Sequence, residues 1–187
     1  MNTRKTLLLG LLLMLATYSL TATTHNNPYL TFTKGNLKGE VNQTRYYEIS
    51  LGTTVTRHAA VEAFGLVHNL VAREDQDSVD LLSLIAGLKA EVKLFKDATL
   101  NPLLQAGIGQ MVLLYAQSAE QNLQTDVSFY SSLATGFEIN IFDTVRIQVL
   151  SGYRFCPHRE IGCLKRDTLS SPFSSISIRA MGRYASN

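Results

Sequence analysis

Residues 127–155, VSFYSSLATGFEINIFDTVRIQVLSGYRF, form two runs of alternating apolar and polar residues that meet at Asp143-Thr144. In the first run Val127, Phe129, Leu133, Phe137, Ile139 and Ile141 share one face, with Ser128, Ser132, Gly136, Glu138 and Asn140 on the other. The second run opposes Val145, Ile147, Val149, Tyr153 and Phe155 to Arg146, Gln148, Gly152 and Arg154. Successive side chains of an extended chain point to opposite faces, so alternation this long describes a strand between two different solvents. Each run is long enough to cross a bilayer, which takes roughly 9–11 tilted residues. The polar face also carries full charges, and that combination is how a small membrane barrel is written.

The amino terminus bears on the compartment. Arg4 and Lys5 precede an apolar run from Leu7 to Leu15, and Ala16, Thr17, Ser19 and Ala22 lead out of it. A charged start, a short apolar core and a small-residue exit describe a secretory signal peptide over 1–22. A membrane-anchoring helix is the other reading, but the apolar core falls well short of the roughly 20 residues that span a bilayer. Residues 23–187 are then one barrel domain. Removing 1–22 takes away Arg4 and Lys5 and no acidic residue, so 17 basic and 15 acidic residues become 15 of each. The basic excess belongs to the export signal, and nucleic-acid binding loses its electrostatic motive. No later segment is apolar and long enough for a membrane helix. A place in the membrane therefore requires a closed barrel, because hydrocarbon tolerates no unpaired strand edge.

In an exported chain a local disulfide is the natural reading of Cys156 and Cys163. With His158 they write a Cys-x-His-x4-Cys pattern, which offers three zinc ligands and no second cluster, so neither metal nor cofactor is expected. Eight strands follow the signal. They are 28–34, 45–56, 59–70, 79–94, 101–116, the two runs beside Asp143-Thr144, and 172–185. The strand at 79–94 sorts Leu82, Leu84, Ala86, Leu88, Ala90, Val92 and Leu94 against Ser83, Gly87, Lys89, Glu91 and Lys93. A helix competes there on propensity, yet it places Lys89 and Lys93 beside Leu82 and Ile85, whereas the strand puts every charge on one side. Gln110 falls on the apolar face of its strand, and 59–70 carries apolar residues on both faces.

Polar connections, including Ala72 to Ser78 and Ala119 to Asp126, follow the first, third, fifth and seventh strands, and tight ones follow the second, fourth and sixth. That rhythm predicts an all-β, eight-stranded antiparallel up-and-down transmembrane barrel with short turns on the periplasmic rim and longer loops outside. Eight strands enclose an interior that side chains can fill. The inferred lumen holds Glu48, Glu62, Glu91 and Glu138 against Lys89, Lys93, Arg146, Arg154, Arg179 and Arg183. Opposite charges in so narrow a space must pair or keep water. The expectation is a salt-bridged plug; a gated ion path or a ligand site is the other reading. The aromatics Tyr29, Tyr46, Tyr47, Tyr115, Phe129, Tyr130, Phe142, Tyr153, Phe155, Phe173 and Tyr184 fall near strand ends, as interfacial girdles do.

Three stretches carry a family resemblance: PLLQAGIG at 102–109, LATGFEINIFDTVRIQVLSGYRF at 133–155 and SISIRAMGRY at 175–184. Across nearly the whole mature chain it resembles the small outer-membrane barrels of Gram-negative bacteria, the OmpA/OmpX-like and opacity-type proteins. The resemblance implies a place in the outer membrane among its lipid and lipopolysaccharide, and insertion by the barrel-assembly machinery, which reads a terminal aromatic strand. Tyr184 fits that signal, while Ser186 and Asn187 stand where a closing Phe is expected. The leading function is structural or surface-interacting, without catalysis. A barrel-embedded lipid-modifying enzyme needs a nucleophile beside a base; His68 and His158, with Ser118 or Ser78, are the candidates, and their spacing selects none. A soluble periplasmic ligand-binding barrel is the third reading, with an apolar inside and a polar outside.

Overall fold

The computed structural model describes residues 27–38, 44–74, 77–95, 98–117, 120–158 and 169–182. The expected signal peptide at 1–22 lies outside them, as do Arg183, Tyr184 and Cys163. The strands are β1 (Pro28–Leu37), β2 (Thr44–Thr54), β3 (Ala59–Glu74), β4 (Asp77–Lys93), β5 (Leu100–Gln117), β6 (Glu120–Phe142), β7 (Val145–Phe155) and β8 (Ser171–Met181). Each pairs antiparallel with its neighbours in sequence, and β1 pairs with β8 to close the barrel. The tight turn at Asp143-Thr144 joins β6 to β7 as expected.

Two of the expected loops are largely strand. β3 runs to Glu74 and β4 starts at Asp77, with Glu74 facing Asp77 across the ladder. β5 likewise runs to Gln117 and β6 starts at Glu120. Polar composition reports solvation rather than loop conformation: a hairpin projecting beyond the apolar band is wet on both faces and still satisfies its backbone by pairing.

The register fixes the stagger. A rung of paired residues leaving β1 at Pro28 passes Thr53, Val61, Ala90, Ala106, Leu133, Tyr153 and Pro172. It returns to β1 at Lys38, whose amide donates to the Pro172 carbonyl. The rungs therefore climb around the wall and the strands tilt, as closure of a small barrel demands.

The apolar side of every strand points out. Leu84 and Leu88 are 39% and 49% exposed, while Lys89 and Glu91 retain 8% and 1%. Phe32, Ile49, Ile108, Phe137, Val149 and Ile176 continue the outer band around the wall. This is the reverse of a soluble carrier with an apolar lining and a polar coat.

Candidate functional site: the filled lumen

The inward positions are built by strand parity, and the stagger decides which of them meet. Glu62 on β3, Glu91 on β4 and Glu138 on β6 converge on Arg179 of β8. Its Nη1 donates to Glu91 Oε1 at 2.9 Å and to Glu138 Oε2 at 3.0 Å. Its Nη2 donates to Glu91 Oε2 at 2.9 Å and to Glu62. The Nε–H reaches Thr31 Oγ1, and the guanidinium lies 4.1 Å over the Tyr29 ring. Nothing of Arg179 or Glu138 is open to solvent.

Around that centre the remaining charges balance. Lys93 pairs with Glu138 and stands 3.6 Å from Glu91. Arg146 donates to Glu138 Oε1 at 3.0 Å. Arg146 and Arg179 face one another directly across the β7–β8 ladder, a repulsive pairing that their shared carboxylate offsets. Gln148 donates to both Glu91 and Glu138, and Tyr29 and Ser50 donate to Glu62. Three cations thus answer three carboxylates, with neutral donors completing the oxygens. Lys89 and Glu48 form a separate buried pair beside the Phe64 ring.

Arg154 stands apart. Among the described residues no carboxylate lies within ion-pair distance of its guanidinium, which rests 4.4 Å over Tyr46, 5.6 Å from Tyr130 and 5.7 Å from Phe173. Aromatic faces attract a desolvated guanidinium. It marks a change of lining: on the loop side the inward residues include Leu66, Leu81, Ile85, Met111, Leu113 and Leu169, with His68 and Ser83 among them. The charge network therefore fills the short-turn half of the lumen, and an apolar and aromatic cluster fills the other half. That corrects the expectation of a charged plug throughout.

Several expected placements change with it. Tyr29, Tyr46, Tyr130 and Phe173 are interior side chains rather than members of a girdle, whereas Tyr47, Phe129, Phe142, Tyr153 and Phe155 do face outward. Tyr29 and Tyr46 lie across from glycines, in the pairs Tyr29–Gly52 and Gly35–Tyr46. A Cβ on either glycine would meet the tyrosine ring at 2.2 Å. Cys156 carries a free, buried thiol inside the apolar cluster, and Cys163, its expected disulfide partner, lies outside the described residues.

A cavity of about 10 Å³ lies between the two halves, lined by Thr33, Glu48, Lys89, Gln105, Arg154 and Ser177, which is room for about one water. Among the described residues no group of three metal-ligating side chains comes together. His68 bonds Thr44 Oγ1 at 2.8 Å through Nε2, and His58 sits at a short turn with Nδ1 3.2 Å from the Lys93 carbonyl. His158 is buried, and Ser118 and the side chain of Ser78 lie outside the described residues.

Comparison with solved structures identifies the architecture. Neisserial surface protein A superposes with a TM-score of 0.60 at 12% identity, covering 84% of this chain and 97% of that one. The fold is that of the small outer-membrane barrels. The amino-terminal barrel domain of Pseudomonas aeruginosa OprF superposes with a TM-score of 0.55 at 9% identity over 82% of this chain and 97% of its own. Outer membrane protein H (OprH) from P. aeruginosa gives 0.51 at 15% identity over 83% and 99%. No protein-family model matches the sequence, and no curated protein does.

Proposed function

We propose that this chain is an exported, integral outer-membrane barrel whose role is structural or surface-interacting, without catalysis. The observation that carries the reading is an apolar belt wrapped around an interior packed with paired charges and aromatic rings. In water such a belt costs free energy in proportion to its area; in hydrocarbon it costs none, and every strand edge is paired. Short turns face the periplasm and the β3–β4 and β5–β6 hairpins project outside. Lipid and lipopolysaccharide surround the wall, and the barrel-assembly machinery inserts it after the signal peptide is removed. Fractionation of expressing cells tests this: the protein is expected with the outer membrane, migrating faster in detergent gels unheated than boiled. Recovery in the soluble periplasm without heat-dependent migration would refute it.

A further inference from the structure

The lipid-facing wall carries a lopsided set of charges. Among the strand residues whose side chains are described and point outward, the charged ones are Lys34 on β1 and Arg45 on β2, and Lys38 follows directly after β1. All three are basic and exposed, and they occupy one hairpin: Asn36 faces Arg45 and Lys34 faces Tyr47 across the β1–β2 ladder. Among the strand residues whose side chains are described, no carboxylate faces outward. On the other side of β1, Lys34 faces Ile176 and Asn36 faces Ser174.

Their height makes this costly. At ~3.3 Å per residue along strands tilted by ~40°, Lys34 stands roughly 15 Å above Pro28, well inside an apolar band ~25 Å tall. By the same reckoning Lys38 and Arg45 lie near the upper edge of the band, on the loop side. A lysine or arginine on the lipid face costs ~2–4 kcal/mol at mid-bilayer and ~0–1 kcal/mol near the interfaces. An anionic group drawn to this hairpin would relieve that cost.

Beside the cluster the wall is hollow. A trough of about 980 Å³ runs across the outer surface, with Tyr47 and Ile49 on one flank, Ile108 and Phe129 on the other, and Gly65 and Ala86 between them. Tyr47, the cross-strand partner of Lys34, belongs to its near flank. A Cβ built on Gly65 meets no atom within 4 Å, so the space lies open to hydrocarbon. A basic cluster beside an apolar trough matches one molecule with both chemistries.

We infer that the outer face of the β1–β2 hairpin binds a phosphate-bearing acylated lipid of the loop-side leaflet. Lys34, Lys38 and Arg45 hold the phosphate, and an acyl chain lies in the trough floored by Gly65 and Ala86. This inference rests on the membrane reading above. Charge-assisted contacts from ammonium and guanidinium groups to phosphate supply the selectivity, and the trough supplies contact for the chain.

Native mass spectrometry of the folded protein in neutral micelles tests it, with phosphatidic acid as the probe. Phosphatidylcholine, diacylglycerol and inorganic phosphate are the comparison arms. Phosphatidic acid is expected to be retained roughly tenfold more tightly than phosphatidylcholine, a difference of ~1.4 kcal/mol. The double variant Lys34→Gln, Arg45→Gln should lose that preference, whereas Arg57→Gln, at the opposite rim, should keep it. Gly65→Phe should weaken retention of phosphatidic acid with every charge in place. Equal retention of the two phospholipids by wild-type protein would overturn the inference and leave the membrane reading standing. Inorganic phosphate competing as well as phosphatidic acid would overturn the lipid assignment. A chain that stays soluble without detergent would instead remove the membrane reading on which both depend.

Discussion

Replacing Arg179 with methionine removes one guanidinium and leaves the buried carboxylates of Glu62, Glu91 and Glu138 without their shared partner. Deleting one partner of a buried ionic group typically costs ~3–5 kcal/mol, because the orphaned charge stays buried. Arg179→Met is expected to lower the unfolding free energy of the detergent-folded barrel by that order, read as a lower midpoint in a urea titration followed by circular dichroism. Adding Glu91→Gln should recover part of the loss; an unchanged midpoint in the single variant would show that the cluster contributes nothing. Cys156 gives a second residue-scale test. Burial pushes its thiol up to about 12, and the charge of Arg154 offsets this only in part. The thiolate is the reactive form, so iodoacetamide at mildly alkaline pH should label Cys156 only after unfolding. Labelling of the native barrel at the rate of a free thiol would place the sulfur at the surface.

At the scale of the strand, the inward tyrosines depend on the glycines opposite them. Gly35 and Gly52 leave room for Tyr46 and Tyr29 to lie flat across the neighbouring strand, a pairing in which an aromatic ring covers a bare backbone. Gly52→Val must push the Tyr29 ring away from Glu62 and Arg179. Overpacking of this kind costs ~1–3 kcal/mol, and the loss should show in the same urea titration. Gly65→Val, on the outer wall in open space, should be close to neutral. If the two valine variants behave alike, the tyrosines are not held as described. Strand existence was legible in all eight cases and facing where alternation is clean, as at Leu84, Leu88, Lys89 and Glu91; in 59–70, apolar on both faces, and for the inward tyrosines it was not. Strand length was not: Ala72 to Ser78 and Ala119 to Asp126 look like loops, since above the apolar band composition no longer distinguishes a wet hairpin from a wet loop.

For the whole molecule, filling of the lumen decides transport. Between the charged and the apolar halves, the described interior holds a cavity of about 10 Å³, room for about one water. Purified wild-type protein in planar bilayers is expected to show no discrete conductance steps; regular steps at neutral pH would mean that the packed interior opens.

Alternation by itself determined that the chain is built of strands and which residues of each share a face, because side-chain direction along a strand is a local property, and the rhythm of the connections gave eight of them. Alternation also placed Glu62, Glu91, Glu138 and Arg179 on the charged faces of their strands. Only closure decided that these four meet and that Arg154 is left to Tyr46, Tyr130 and Phe173. Those relations depend on the stagger with which β8 rejoins β1. Stagger is a property of the ring as a whole, and no single strand encodes it.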